Sequence, residues 1–311
     1  MPIKLAKDFP AKKVLENERI FTMDSTRAET QDIRPLKLAL VNLMPDKITC
    51  EIQFLRLLSQ SPLQIHVDFV QMSTHQHKYA SHDHLFKFYE TLADIENNYY
   101  DGIIITGAPV ETMPYEEVDY WPEFTKLLDW SQTHATSVLH VCWGAEAGLY
   151  VHYGIDKVLY SEKLFGVYEN QLISEHVLTR GFDDVFFTPQ SRYTGINEAQ
   201  IDQEVLEVLA NNQQFGSTIL ASKDQKNVFV LGHFEYDSDT LNKEYIRDHE
   251  RGVATQLPAN YFNEDNPNGK IINKWRAHGF LFYHNWLNDV YQRTPYELNQ
   301  ANLAMSKPKS D

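Results

Sequence analysis

Short apolar runs and amphipathic stretches alternate along the first half of the chain. LKLALVNL (36–43) precedes TCEIQFLRLL (49–58), in which Ile52, Leu55 and Leu58 recur at helical spacing. QIHVDFVQ (64–71) alternates like a strand, HLFKFYETLADI (84–95) is helical in period, and DGIIIT (101–106) is a continuous apolar run. WPEFTKLLDWSQTH (121–134) predicts a helix, and SVLHVC (137–142) a strand with a helix starting at about Trp143. Such repeated strand–helix alternation predicts an α/β fold, a mostly parallel sheet with helices on both faces. In open sheets of this kind the functional site lies outside the carboxyl ends of the strands.

The second half is more mixed. DDVFFTP (183–189), STILASK (217–223) and NVFVLG (227–232) predict strands, the first two without a long helix between them, which suits antiparallel additions to the same domain. Helices are expected over about 238–250 and over 279–292. Residues 1–34, charged and weakly periodic, suggest an N-terminal arm packed on the surface or on a partner. Residues 35–300 then form a single domain, and the polar segment 301–311 a frayed tail. No internal repeat or low-complexity linker divides the chain.

Composition narrows the function classes. Of 311 residues, 42% are hydrophobic, enough for a large core, yet no run approaches the length of a membrane span. MPIKLAKDFPAKK at the start carries charges where a secretory signal needs apolar residues, so a cytoplasmic location is expected. The formal net charge of −15, with no basic cluster, argues against nucleic acid and anionic membranes as partners. The two cysteines, Cys50 and Cys142, lack paired spacing and read as reduced thiols.

Cys142 stands where a predicted buried strand meets a predicted helix. A side chain at such a turn projects above the sheet, and the helix N-terminus lowers a thiol pKa. Val141 and His140 replace the glycine usual before an elbow nucleophile, and a buried inert thiol also fits this segment alone. Further on, VLGHFEYD (230–237) places His233 after another apolar run with Glu235 two residues later. In extended chain those two side chains share a side, so the carboxylate can orient the imidazole. A strand-end histidine beside a solvated acid is the plainer alternative.

Taken together these segments resemble the homoserine O-acyltransferases of methionine biosynthesis, within the class I glutamine amidotransferase-like superfamily. RPLKLALVNLMPDKITCEIQFLRLLSQSPLQ (34–64), DGIIITGAPVE (101–111), HVCWGAEA (140–147), EKLFGVYE (162–169), PQSRYTG (189–195), ASKDQKNVFVLGHFEYD (221–237) and WRAHGFLFYHNWLN (275–288) carry the resemblance, in the family's order. It implies a flavodoxin-like sheet with Cys142 as the acylated nucleophile, His233 as proton acceptor and Glu235 as orienting acid. Lys163, Ser191 and Arg247 match positions that hold the amino-acid substrate. Glu111 matches the position that sorts acyl donors: glycine there goes with succinyl-CoA and glutamate with acetyl-CoA. A carboxylate there also fills space and repels the far carboxylate of a succinyl group. Phe234, where relatives often have proline, is a departure bearing on how His233 is presented.

The activity implied is transfer of acetyl from acetyl-CoA to the hydroxyl of L-homoserine through an acyl-cysteine, by a ping-pong route with no cofactor or metal. The oxyanion is expected to meet backbone N–H groups near Trp143 and the LMPDK loop (43–47). Lys47, Lys163 and Arg192 are candidates for the charge of CoA. A homodimer is expected. Alternatives are succinyl-CoA as donor, serine as acceptor, glutamine hydrolysis, or a binding module without chemistry. His75, His77, His82 and His84 raise a metal reading, set against a solvated loop.

Overall fold

A computed structural model of the chain describes residues 3–6, 8–18, 20, 22–23, 34–75 and 82–295. In order these form β1 (Ile3–Lys4), α1 (Pro10–Asn17), β2 (Thr22–Met23), β3 (Leu36–Val41), α2 (Lys47–Leu58) and β4 (Ile65–Val70). Next come α3 (His82–Phe88), β5 (Tyr89–Glu90), α4 (Leu92–Ile95), β6 (Tyr100–Ile105), α5 (Trp121–His134), β7 (Ala135–Val141) and α6 (Trp143–Tyr153). Strands β8 (Lys157–Leu172), β9 (Val185–Ile196), β10 (Leu206–Asn212), β11 (Gly216–Ser222) and β12 (Asn227–Val230) precede α7 (Thr240–Glu250) and α8 (Arg276–Arg293).

One sheet runs through the molecule in the order β2-β1-β4-β3-β6-β7-β12-β11-β10-β8-β9, with β5 beside β4. From β2 to β12 neighbours are parallel, and from β12 to β9 antiparallel. The apolar runs follow from burial on both faces. On β3, Leu38 and Leu40 join a cluster with Phe54, Leu55, Phe282 and Trp286, whereas Ala39 and Val41 face Phe124, Leu127, Leu128 and Trp143. Gly102 on β6 leaves room for the Trp286 ring, which a Cβ there would meet at 2.7 Å.

The structure departs from the sequence pattern in three places. The stretch 84–95 is broken, because Tyr89 and Glu90 pair with Phe69 and Val70, and Thr91 with Asp94 starts a new helix with a capping box. The described part of the N-terminal arm is built into the sheet through β1 and β2, with Ile3, Phe9 and Leu15 in the core. β12 is no peripheral addition: it lies parallel to β7 with Val230 opposite Val141. The expected tail, 301–311, lies outside the described residues. Among those described, no helix is long and apolar enough to cross a membrane.

Candidate active site

The pairing of β7 and β12 sets up the chemistry. Cys142 N–H donates to Val230 C=O at 2.8 Å, so Cys142 and His233 leave the same end of adjacent parallel strands. Cys142 has φ 53° and ψ −119°, a strained conformation for an L residue, of the kind that costs ~1–3 kcal/mol and persists only where packing enforces it. Packing does so through Gly144, where a Cβ would lie 2.7 Å from Thr106 O and 3.0 Å from Ile105 O. α6 thus begins hard against the end of β6, and the N–H groups of Ala145 and Glu146 in its first turn bond back to Cys142 O.

Gly107 closes the other side. A Cβ there would stand 3.2 Å from Cys142 Cβ, a tight contact, and in ordinary contact with Cys142 Sγ at 3.6 Å and His233 Cε1 at 3.8 Å, so glycine leaves space beside both side chains. His233 is buried, its Nδ1 2.6 Å from Glu235 Oε1, while its Nε2 has no hydrogen-bond partner among the described residues. Burial works against a charged imidazole, but Cys142 and Glu235 outweigh it and hold the His233 pKa well above its usual range. Between them Phe234 turns into the core, 5.4 Å centroid to centroid from Phe282, and anchors the two polar side chains on the opposite side. Phenylalanine at this position is therefore compatible with the triad geometry.

Tyr236 stacks on His233 at 4.1 Å between centroids, and its hydroxyl donates to Glu244 Oε1 at 3.1 Å. Glu244 Oε2 accepts from Ser191 Oγ at 2.5 Å and lies 3.4 Å from Lys163 Nζ, which is also 3.3 Å from Asp248 Oδ2. Arg247 donates to Asp248 Oδ1 through Nε at 2.9 Å and Nη2 at 2.8 Å. Lys163 and Ser191 come from β8 and β9, paired Phe165 to Ser191, whereas the acids come from α7. Glu111, in the loop after β6, is pushed up in pKa by burial and by Glu244, against the pull of its own N–H, Lys163 and His233. It is thus coupled electrostatically to Lys163, Glu244 and His233. Glu244 and Asp248 were not singled out from sequence; their spacing of four puts both on one face of a helix, but only the return of β8 with Lys163 marks that face.

Some expectations fail. Lys47 is buried with Nζ bonded to Asn42 O, and burial brings its pKa down to about 8, so it is not available to CoA phosphates. Arg192 is equally buried, tied to Gln190 and Thr194. In the LMPDK loop Leu43 N–H is committed to Thr106 Oγ1 and Met44 N–H to Asn42 Oδ1, so those amides are not free for an oxyanion. Trp143 contributes a buried ring and, at the first position of α6, its backbone N–H. His75 turns to Asp119 and His84 to Glu51, so these two do not share a ligand set. His77 and the His82 side chain lie outside the described residues; among those described no cluster suits a metal.

A parallel sheet with an elbow cysteine at its carboxyl edge defines the class I glutamine amidotransferase-like fold. Solved glutamine amidotransferases from Thermotoga maritima and Methylobacillus flagellatus superpose with TM-scores of 0.55 and 0.54, at 9% and 11% identity, over 83% and 86% of this chain and 99% and 97% of theirs. A family model described as homoserine O-succinyltransferase matches residues 2–296, and the chain belongs to that family of homoserine O-acyltransferases. Proteins named homoserine O-acetyltransferase from Bacillus cytotoxicus and Clostridium acetobutylicum are each 51% identical over 301 residues, 96% of this chain and the whole of theirs.

Proposed function

We propose that this chain is a homoserine O-acetyltransferase working through an acetyl-Cys142 intermediate. The observation that carries the reading is the strained Cys142 elbow beside the His233–Glu235 pair, next to a cluster of mixed charge. The names of its relatives support the choice of acyl group and acceptor.

In the first half-reaction the Cys142 thiolate attacks the thioester carbonyl. The oxyanion is held by the Trp143 N–H and the backbone near Gly107, rather than by the LMPDK loop. The carbon–sulfur bond to CoA breaks, and the leaving thiolate takes the proton of His233. In the second, homoserine sets its ammonium against Glu244 and its carboxylate against Lys163 and Arg247. His233 takes the hydroxyl proton as that oxygen attacks the acetyl carbon, and the bond to Cys142 breaks to restore the thiolate–imidazolium pair. Glu235 keeps the imidazole oriented and stabilises its charge throughout.

Glu111 favours acetyl over succinyl because a second carboxylate in this half-buried place meets Glu111 and Glu244 with little water to screen them. The test is steady-state kinetics with both substrates varied. Parallel double-reciprocal lines and release of CoA before homoserine is added are expected; intersecting lines without early CoA release contradict the covalent route.

A further inference from the structure

Asp248 stands apart from the triad, yet it touches both cations of the pocket. Its Oδ1 receives the Arg247 fork at 2.8 and 2.9 Å, and its Oδ2 receives Lys163 Nζ at 3.3 Å and Thr255 Oγ1 at 3.3 Å. Neighbours on a helix do not face each other, so Arg247 must bend back along α7 to make its contact. Without that contact the guanidinium, whose side chain is 49% exposed, has the freedom of a surface arginine. Asp248 is buried at the foot of the pair, which fixes the direction from which both cations are held.

We propose that Asp248 is a positioning residue for the acceptor's carboxylate. One acid, using separate oxygens, holds a cation from α7 and a cation from β8 side by side, leaving the other N–H groups of Arg247 and Lys163 for an incoming carboxylate. Glu244, one turn earlier on the same face of α7, then meets the ammonium. The resulting arrangement of two held cations beside a second acid, Glu244, itself held by Ser191, Tyr236 and Lys163, fits a zwitterionic α-amino acid. This inference rests on the acceptor reading above.

The test compares wild type, Asp248→Asn and Asp248→Glu, with L-homoserine and its carboxamide as acceptors and with acetyl-CoA alone. In Asp248→Asn the KM for homoserine is expected to rise roughly tenfold to a hundredfold, the range of a lost charged hydrogen bond. The wild-type preference for the acid over the amide shrinks, acetylation of Cys142 by acetyl-CoA alone continues, and Asp248→Glu restores part of the preference. If homoserine discharges the wild-type acetyl-enzyme but Asp248→Asn keeps the same KM and the same acid-over-amide preference, the role of Asp248 is wrong. A lowered denaturant midpoint in Asp248→Asn with acetylation slowed and turnover of acid and amide reduced in equal proportion also overturns it in favour of a structural role. Should homoserine fail to discharge the wild-type acetyl-enzyme, the acceptor reading falls and this inference with it.

Discussion

Two regions meet at this site and are built in opposite ways. The nucleophile side, from β6 through β7 and α6 to β12, relies on backbone: a strained Cys142, two close-packed glycines and a strand register that delivers His233. The acceptor side, β8, β9 and α7, relies on charge: Lys163, Glu244, Arg247 and Asp248 hold one another across elements distant in sequence. The first is rigid because its packing allows no other shape. The second is held by charges that are shared among several partners.

Two buried histidines show the same contrast within the nucleophile side. His140 is fully enclosed and keeps neutral, its pKa brought down to about 3 by burial first and by His152 second, with Nε2 3.2 Å from Asn227 Oδ1. His233 is no less buried, but the charges of Cys142 and Glu235 carry its pKa the other way. Burial alone does not decide the state of an imidazole; its partners do.

The largest expected effect comes from removing the partner of His233. Glu235→Gln keeps the shape and discards the charge, and a fall in kcat on the order of 10³–10⁴-fold is expected, as for orienting carboxylates in other triads. Because Glu235 helps raise the His233 pKa, the stability this pair contributes is fully present below the unfolded value near 6.5 and is lost as pH rises through the raised folded value. The denaturant midpoint of wild type should therefore exceed that of Glu235→Gln by more at pH 6 than at high pH. An equal gap at every pH breaks the contrast drawn between the two histidines.

Next in size is Glu111→Gly, which removes a charge without touching the elbow. Succinyl-CoA should gain at least about tenfold in kcat/KM relative to acetyl-CoA, the scale of one like-charge contact relieved; an unchanged ratio places donor choice elsewhere. Gly144→Ala probes backbone instead. Its Cβ would lie 2.7 Å from Thr106 O, so a loss of about 1–3 kcal/mol in stability is expected together with slower acetylation of Cys142. An effect confined to acid pH belongs to His140. Its folded pKa lies below its unfolded one, so the unfolded chain binds the extra proton and stability falls as pH drops from about 6.5 towards about 3. His140→Gln should flatten that acid limb in a urea titration series.

What the sequence made legible follows the same division. β3, β4, β6, β7, β12 and α5 are marked by apolar runs or helical period, and Cys142 follows β7 while His233 and Glu235 follow β12, where chemistry is expected. The sixteen-residue β8 carries little such signal, since it is mostly half-exposed and buries only Phe165, Gly166, Val167 and Asn170. Glu244 and Asp248 read as ordinary solvated acids on an amphipathic helix until β8 returns with Lys163 to face them. Lys47 and Arg192 show the converse: cations taken for ligand groups are spent inside the protein on carbonyl and amide oxygens. Partnership between distant side chains is a tertiary property, and no local period announces it.

The central claim, that acyl groups pass through Cys142, is tested most directly by intact-protein mass spectrometry after brief exposure to acetyl-CoA. Wild type is expected to gain one acetyl group in the absence of acceptor and to lose it when L-homoserine is added, while Cys142→Ala gains none. An acetyl group that persists on Cys142→Ala, or wild-type turnover with no adduct at any time, would contradict the account.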